Sequence, residues 1–350
     1  MSKKVEPMAD TIENQLAVQS RPVTAMLILV AGSVGLILSL GLSIALGAAD
    51  IKLMTVWQAM FQFNPNSTEH SIIREFRMPR SVADILIGAS FAVAGAIMQG
   101  VTRNPLADSG LLGLNAGATL MIALSFAFFP GLSYTNLMLF SFIGAGIGAA
   151  LVFGIGSLSR NGLSPIRLVL AGAAVSALFT AVSEGVAIHF QLSQNLAFWF
   201  AGGTAGLKWP QIQILLPWIV IALIVALFLS KSISLLSLGE DVAVGLGQRT
   251  KWIKTLAAVV VLVLAGAAVS AVGPIGFVGL VIPHIARFLV GVDYRWIVPC
   301  SAVLGGLFMI VADMGARLIN APYETPIGAI FALVGVPFFL YVARREGREL

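Results

Sequence analysis

Charge is what this sequence has least of. Asp, Glu, Lys and Arg supply 11% of its 350 residues, against roughly 25% in soluble domains. A water-soluble fold of this size cannot cover its surface with so few charges, so most of that surface faces lipid. Cysteine is nearly absent too. The single Cys300 excludes an intrachain disulfide and any multi-cysteine metal site, and within an apolar run it reads as an inert buried thiol. The three histidines, His70, His189 and His284, lie far apart in sequence, which argues against a haem or metal centre. Enzyme signatures are missing as well: there is no G-x-x-x-x-G-K-[ST] phosphate loop, no H-E-x-x-H and no G-x-S-x-G elbow. If ATP drives this protein, the nucleotide binds another polypeptide.

What is abundant is apolar sequence, 58% of the chain with a mean hydropathy of +0.95. Apolar runs fall near residues 24–49, 81–100, 113–130, 135–158, 165–189, 211–230, 252–272, 275–290, 297–316 and 326–343. A helix of ~20 residues crosses a hydrocarbon core of ~30 Å. Backbone polar groups in lipid must be satisfied within the segment, so these runs are helices. Nothing alternates as the strands of a membrane barrel do. The expectation is an all-α polytopic membrane protein with about ten transmembrane helices. The 252–290 stretch reads as two helices or as one broken helix. Residues 1–23 are polar, with no convincing cleavage pattern in the run that follows. They are expected to form a cytoplasmic tail, with the transmembrane domain at 24–343 and a second cytoplasmic tail at 344–350.

The net charge of +5 reflects basic cytoplasmic loops, not a nucleic-acid surface, since no basic run exceeds a few residues. With both termini inside, the 21 Lys and Arg divide fifteen inside to six outside. The six are Lys52, Arg74, Arg77, Arg80, Lys208 and Arg317, and three of them crowd into REFRMPR at 74–80. Such clustering on the disfavoured side needs a reason. Arg74, offset from the RMPR motif, reads as an interfacial anchor. The 36 glycines suit close helix packing in lipid, as in Gly144–Gly148, Gly266-Ala-Ala and Gly305-Gly306.

Ionisable residues within or near the runs are few: Asp84, Glu184, His189, His284 and Asp313. Asp84 and Asp313 lie near helix ends and read as solvated at the interface. Glu184 either lines a water-filled path or pairs locally. So few buried carboxylates speak against an ion-coupled carrier. An intramembrane enzyme would need a clustered nucleophile or metal pair, and none is visible.

Three segments rise above composition: RMPR with GASFAVAGAIMQGVTRNPLADSGLLGLNAGA (77–80 and 88–118), SLLSLGEDVAVGLG (234–247), and GPIGFVGLVIPHIARFLVGVDYR with ADMGARL and ETPIGAIFALVGVPFFLYV (273–295, 312–318 and 324–342). In the first, Asn104-Pro105 and the flanking glycines break the helix, giving either an interfacial loop or a pathway wall to which Gln99, Asn104 and Asn115 offer uncharged hydrogen bonds. The second is a short amphipathic stretch bounded by Gly239 and Gly247, in the largest connection on the inner side.

At these residues, over nearly the whole span from about 70 to 343, the sequence resembles the FecCD family of ABC importer permeases for iron–siderophore, haem and cobalamin. The resemblance implies the type II ABC importer permease architecture in the bacterial cytoplasmic membrane. A second permease subunit, the same or similar, would pair with this one across a central path. Two ATP-binding cassette subunits below would hold ATP and Mg²⁺, so no cofactor is expected in this chain. An extracytoplasmic substrate-binding protein would deliver an iron–siderophore chelate, with haem or cobalamin as alternatives. Arg77, Arg80 and Arg317 would dock that binding protein, and reversing their charge is expected to leave the fold intact. Leu238, Gly239, Glu240, Asp241, Ala243, Leu246 and Gly247 would form a coupling helix against an ATPase subunit. The connection at Ser164, Pro165 and Ile166 would gate the path or form a simple tight turn, and Glu184 with Gln99, Asn104, Pro105 and Asn115 would line it.

Overall fold

The computed structural model describes residues 20–46, 51–157, 165–201, 203–321 and 323–346. Among them every named element is helical, apart from an isolated bridge between Ser20 and Gly291. The order is α1 (Pro22–Ala45), α2 (Leu53–Phe61), α3 (Thr68–Ile72), a π-helical turn (Ile73–Arg77), α4 (Met78–Thr102), a 3₁₀ turn (Ser109–Leu112), α5 (Leu114–Phe128), α6 (Tyr134–Ser157), α7 (Pro165–His189), α8 (Ser193–Ala201), α9 (Trp209–Ser237), α10 (Glu240–Gly245), α11 (Thr250–Val272), α12 (Val278–Val290), α13 (Tyr294–Ile319) and α14 (Ile327–Glu346).

Seven helical stretches among the described residues are long and apolar enough to cross a membrane: Pro22–Ala45, Thr68–Thr102, Tyr134–Gly156, Arg167–His189, Trp209–Ser237, Thr250–Val272 and Tyr294–Ile319. The apolar helices Leu114–Phe128, Val278–Val290 and Ile327–Val342 are shorter. Ten crossings are therefore not established by length. The reason is visible in the backbone. α4 ends at Arg103 in the left-handed region (φ 52°), and irregular chain with a 3₁₀ turn consumes the residues up to Gly113 (φ 72°). Likewise the 252–290 stretch is two helices, separated at 273–277 by Gly273 (φ 78°) and Phe277 (φ 71°). The 13 residues of α12 rise only about 20 Å at ~1.5 Å each.

α4 is the central column, packed against α9, α11, α12 and α13 and buried from Ile87 to Gly100 without interruption. Its small residues make this possible. A Cβ on Gly95 would strike the Gly279 carbonyl, one on Gly88 the Gly305 carbonyl, and α5 meets α6 in the same way through Gly117 and Gly144. Without a hydrophobic force between helices in lipid, such backbone approach maximises dispersion and polar contact. The glycine pairs expected to give smooth faces do so: Gly148 meets Gly113, and Gly266 takes the Phe142 ring. By contrast, α1 turns Val23, Leu27, Val30, Val34, Ile37 and Leu38 outward, as a lipid-facing helix does.

Candidate functional site

Arg77, Arg80 and Arg317 come together where α1 ends. The last carbonyls of a helix have no intrahelical donor. At α1 they are met by two guanidinium groups, whose charge also suits the negative end of the helix dipole. Arg77 Nη1 donates to Ile44 O and Ala45 O, both at 2.8 Å. Arg317 Nη1 donates to Ser43 O at 3.0 Å and Leu46 O at 3.2 Å, and its Nη2 to Ser43 Oγ at 2.6 Å. Arg77 reaches that position because α3, the π turn and α4 form one helical column. The REFRMPR segment is therefore helical, and Pro79, inside that column, has no N–H to give the turn before it; the Arg74 carbonyl accepts from Trp209 Nε1 at 2.7 Å instead.

Arg80 grips two carboxylates. Its Nη2 lies 2.8 Å from Asp313 Oδ1, and its Nη1 lies 2.6 Å from Glu324 Oε1. Arg317 Nη2 completes the cluster, 3.0 Å from Asp313 Oδ2. Asp313 is 1% exposed and Asp84 is wholly buried. This corrects the expectation that both are solvated at helix ends. The ends of α4 and α13 are covered by α1 and by the segment at 203–204, whose Thr204 Oγ1 donates to Asp84 Oδ1 at 2.7 Å. Of the partners in the cluster Glu324 is the accessible one, with its side chain 51% exposed. Arg74 holds its guanidinium over the Phe63 ring, 4.6 Å from the centroid.

At the opposite end of α4, Gln99 is 1% exposed. Its Nε2 donates to Gly279 O and Leu280 O at 3.3 Å, and its Oε1 accepts from Arg287 Nη2 at 3.1 Å. Asn104 builds the turn that follows, its Oδ1 accepting from Leu106 N at 2.9 Å across Pro105. Asn115 opens α5 beside Gly110. Glu184 lies on the exposed side of α7 with Ala173, Ala177 and Thr180, residues that share one helix face by spacing. Pro165 and Ile166 open α7, while Ser164 lies outside the described residues.

The connection between α9 and α11 holds the six-residue α10, with Gly239 (φ 133°) before it and Gly247 (φ 81°) after it. Both backbone conformations favour glycine. Ala243 is fully buried, which seats α10. Leu238, Val242, Val244 and Leu246 are exposed, and Asp241 points outward with them. Glu240 Oε2 takes Lys254 Nζ at 2.7 Å, and this hydrogen bond holds the Glu240 carboxyl below its usual range. A depressed carboxylate pKa stabilises above the unfolded-state value, and the contribution is lost as pH falls through the folded-state value. The pair is half exposed, so Glu240→Gln is expected to cost at most ~1 kcal/mol at neutral pH. The difference in melting temperature from wild type should close as the detergent-solubilised protein is acidified. A gap that widens in acid would contradict the pairing.

An apolar cavity of about 40 Å³ lies between α4, α6, α7 and α11, lined by Met98, Val101, Phe153, Leu168 and Ala257. Ligand pockets occupy ~300–1,000 Å³, so this space admits no metal chelate. Among the described residues no group of three His, Cys, Asp or Glu could hold a metal ion.

Sequence reasoning missed Arg287, Tyr294, Ser234 and Lys254, as well as the carboxylates that hold Arg80. Arg287 had a signal, since it stands four residues after Pro283 in the PHIAR string. The others carry none in one dimension.

The chain is 53% identical over 340 residues, 97% of its length and 88% of the relative's, to the iron(3+)-hydroxamate import system permease protein FhuB of Bacillus subtilis. It is 42% identical to the iron-uptake system permease protein FeuB of the same organism, covering 92% of this chain and 97% of that one. Among solved structures, a metal-chelate type ABC transporter in an inward-facing conformation superposes with a TM-score of 0.80 at 27% identity, covering 91% of this chain and 99% of that one. The model of the FecCD transport family matches residues 35–345, and the chain belongs to that family, whose members are membrane transport permeases and not enzymes.

Proposed function

We propose that this chain is the permease subunit of an ATP-driven importer that carries ferric siderophore chelates, hydroxamates among them, across the bacterial cytoplasmic membrane. The observation that carries this reading is the end-to-end likeness to the Bacillus hydroxamate permease. Physical features support the parts. The cavity between α4, α6, α7 and α11 is too small for a chelate, so in this reading the path runs along an exposed face, shared with a second permease subunit of the same or similar sequence. The α7 face bearing Glu184 suits that path, because a carboxylate turned to lipid would cost ~2.5–3.5 kcal/mol. With no phosphate-binding loop in this sequence, ATP and Mg²⁺ belong to two partner ATPase subunits.

In this reading the chain crosses the membrane ten times with both termini inside. The three shorter apolar helices complete their crossings with the irregular segments beside them. Irregular backbone at depth is tolerated where protein covers it. The apolar knob of α10, with Leu238 and Leu246 outward and its ends fixed by Gly239 and Gly247, docks on an ATPase subunit. The connection at Pro165 and Ile166 closes the inner end of the path. The outer surface around Arg77, Arg80 and Arg317 receives an extracytoplasmic binding protein.

The test is uptake of a radiolabelled ferric trihydroxamate into proteoliposomes holding the permease and its ATPases, with ATP inside and the binding protein outside. Leu246→Glu alters only an exposed side chain, so insertion should be normal. Uptake and chelate-stimulated ATP hydrolysis are both expected to fall at least tenfold. Stimulated hydrolysis unchanged in this variant would remove α10 from the ATPase contact, and no uptake by wild type would overturn the permease reading.

A further inference from the structure

Pro283 leaves a defect in α12. It has no N–H to give the carbonyl of Gly279, four residues earlier, and that carbonyl is buried. The residue that makes good the loss comes from another helix. Gln99 lies one turn beyond Gly95 on α4, and Gly95 is the residue that lets α4 touch the Gly279 backbone. From there the Gln99 Nε2 donates to Gly279 O and Leu280 O, both at 3.3 Å. The same side chain is held from the other side, its Oε1 accepting from Arg287 Nη2 at 3.1 Å. Arg287 Nη2 in turn donates to Tyr294 Oη at 2.9 Å.

The chain of contacts does not stop at Tyr294. Its backbone N–H donates to Ser234 Oγ at 2.8 Å, and that hydroxyl lies 3.0 Å from Asp293 Oδ1. Asp293 caps α13 through Arg295 N at 3.0 Å. Ser234 is in the last turn of α9, three residues before α9 ends, with α10 immediately beyond. At the other end, Gly279 follows the irregular segment 273–277, where Phe277 stands in a left-handed conformation against Gly335 of α14. The contacts thus run from Ser234 of α9 to Tyr294 of α13, along that side chain to Arg287 of α12, and through Gln99 of α4 to the start of α12, just after the break at 273–277. Gln99 is 1% and Tyr294 3% exposed, so little water competes for these bonds.

We propose that Gln99, Arg287 and Tyr294 form a hydrogen-bonded bolt that makes the α9–α10 corner move as one body with the start of α12 at the break after α11, and so sets how much chelate is moved per ATP. These are positioning residues, acting through the backbone of α12 and not on the cargo. The inference rests on the permease reading above. It adds a mechanical role to two strings, QGVTRNP and GFVGLVIPHIAR, that lie about 180 residues apart in sequence and meet at one carbonyl.

The experiment uses the reconstituted permease with its ATPases and binding protein, and reads ferric trihydroxamate imported per ATP hydrolysed, with the melting temperature alongside. Gln99→Leu removes both ends of the bolt at similar volume, and the yield per ATP is expected to fall at least fivefold. Tyr294→Phe removes one hydroxyl and keeps the ring, so it should fold whether or not Gln99→Leu does. It is expected to lower the yield about twofold and to add nothing further when combined with Gln99→Leu. Arg287→Lys, which keeps the charge without the fork, should resemble Tyr294→Phe. A yield per ATP unchanged in Tyr294→Phe and Arg287→Lys overturns the bolt, as do losses that simply add in the double variant. A wild-type complex that hydrolyses ATP but imports no chelate counts instead against the permease reading.

Discussion

Gly95→Val is expected to prevent stable accumulation of the chain in the membrane, while Gly146→Val leaves it near the wild-type level. Both glycines sit mid-helix, and propensity alone would make either replacement neutral or slightly favourable, since glycine costs about 1 kcal/mol in a helix interior relative to alanine. Packing separates them. A Cβ at Gly146 meets nothing within 4 Å. One at Gly95 collides with the carbonyl oxygen, carbonyl carbon and Cα of Gly279. Those atoms are backbone, so no rotamer change relieves the clash. Nor can α4 withdraw, because α9, α11 and α13 hold its remaining faces. Overpacking of a core typically costs 1–3 kcal/mol where side chains can yield, and here they cannot. Separation of α4 from α12 would also pull the Gln99 amide from Gly279, leaving that buried carbonyl unpaired at ~1–3 kcal/mol. Yield in the membrane fraction and the melting temperature in detergent check this. A Gly95→Val chain that accumulates and melts like wild type would contradict the close crossing.

Such pairs mark where the sequence could be read and where it could not. The apolar runs place the long helices, and the glycines that flank α10 state its limits before any coordinates. Helices α2, α3 and α8 were not legible. They have nine, five and nine residues, shorter than the ~12–15 residues an isolated helix needs in water, so tertiary contacts hold them and no local signal announces them. The REFRMPR segment reads as a charged connection because charge argues against a span. It is helical because those charges find partners that sequence does not place beside them: Arg80 and Asp313 are separated by 233 residues. The same distance hid the burial of Asp84 and Asp313. Periodicity tells which side of a helix is apolar, but not whether a polar residue near its end meets water or another helix. Gln99 shows the same limit, since an amide suited to a path is equally suited to a carbonyl freed by proline on a helix 180 residues away.

Arg80→Glu is expected to cost the fold itself, contrary to the sequence-based expectation that charge reversal at Arg77, Arg80 and Arg317 leaves it intact. Asp313 is 1% exposed, and its charge is balanced by Arg80 and Arg317 alone among the described ion pairs. Removing one partner of a buried pair costs ~3–5 kcal/mol. Reversal goes further, placing a third carboxylate between Asp313 and Glu324. Native stabilities are about 5–15 kcal/mol, so the single reversal threatens folding and the triple one removes it, also stripping the α1 carbonyls of their donors. Loss of binding-protein association in the triple variant would therefore say nothing about docking. Glu324→Gln separates the two questions. Its side chain is half exposed and holds only the outer edge of Arg80, so stability should change by at most ~1 kcal/mol, and Asp313 keeps both arginines. If the outer surface docks an acidic partner, removal of this internal carboxylate frees guanidinium donors for it. The binding protein should then associate several-fold more tightly with the reconstituted complex, most clearly at low ionic strength. Melting temperatures for Arg80→Glu and association constants for Glu324→Gln are the two measurements. Unchanged association in Glu324→Gln would take Arg80 out of the docking surface and leave it a structural residue, and a normal melt for Arg80→Glu would deny it even that role.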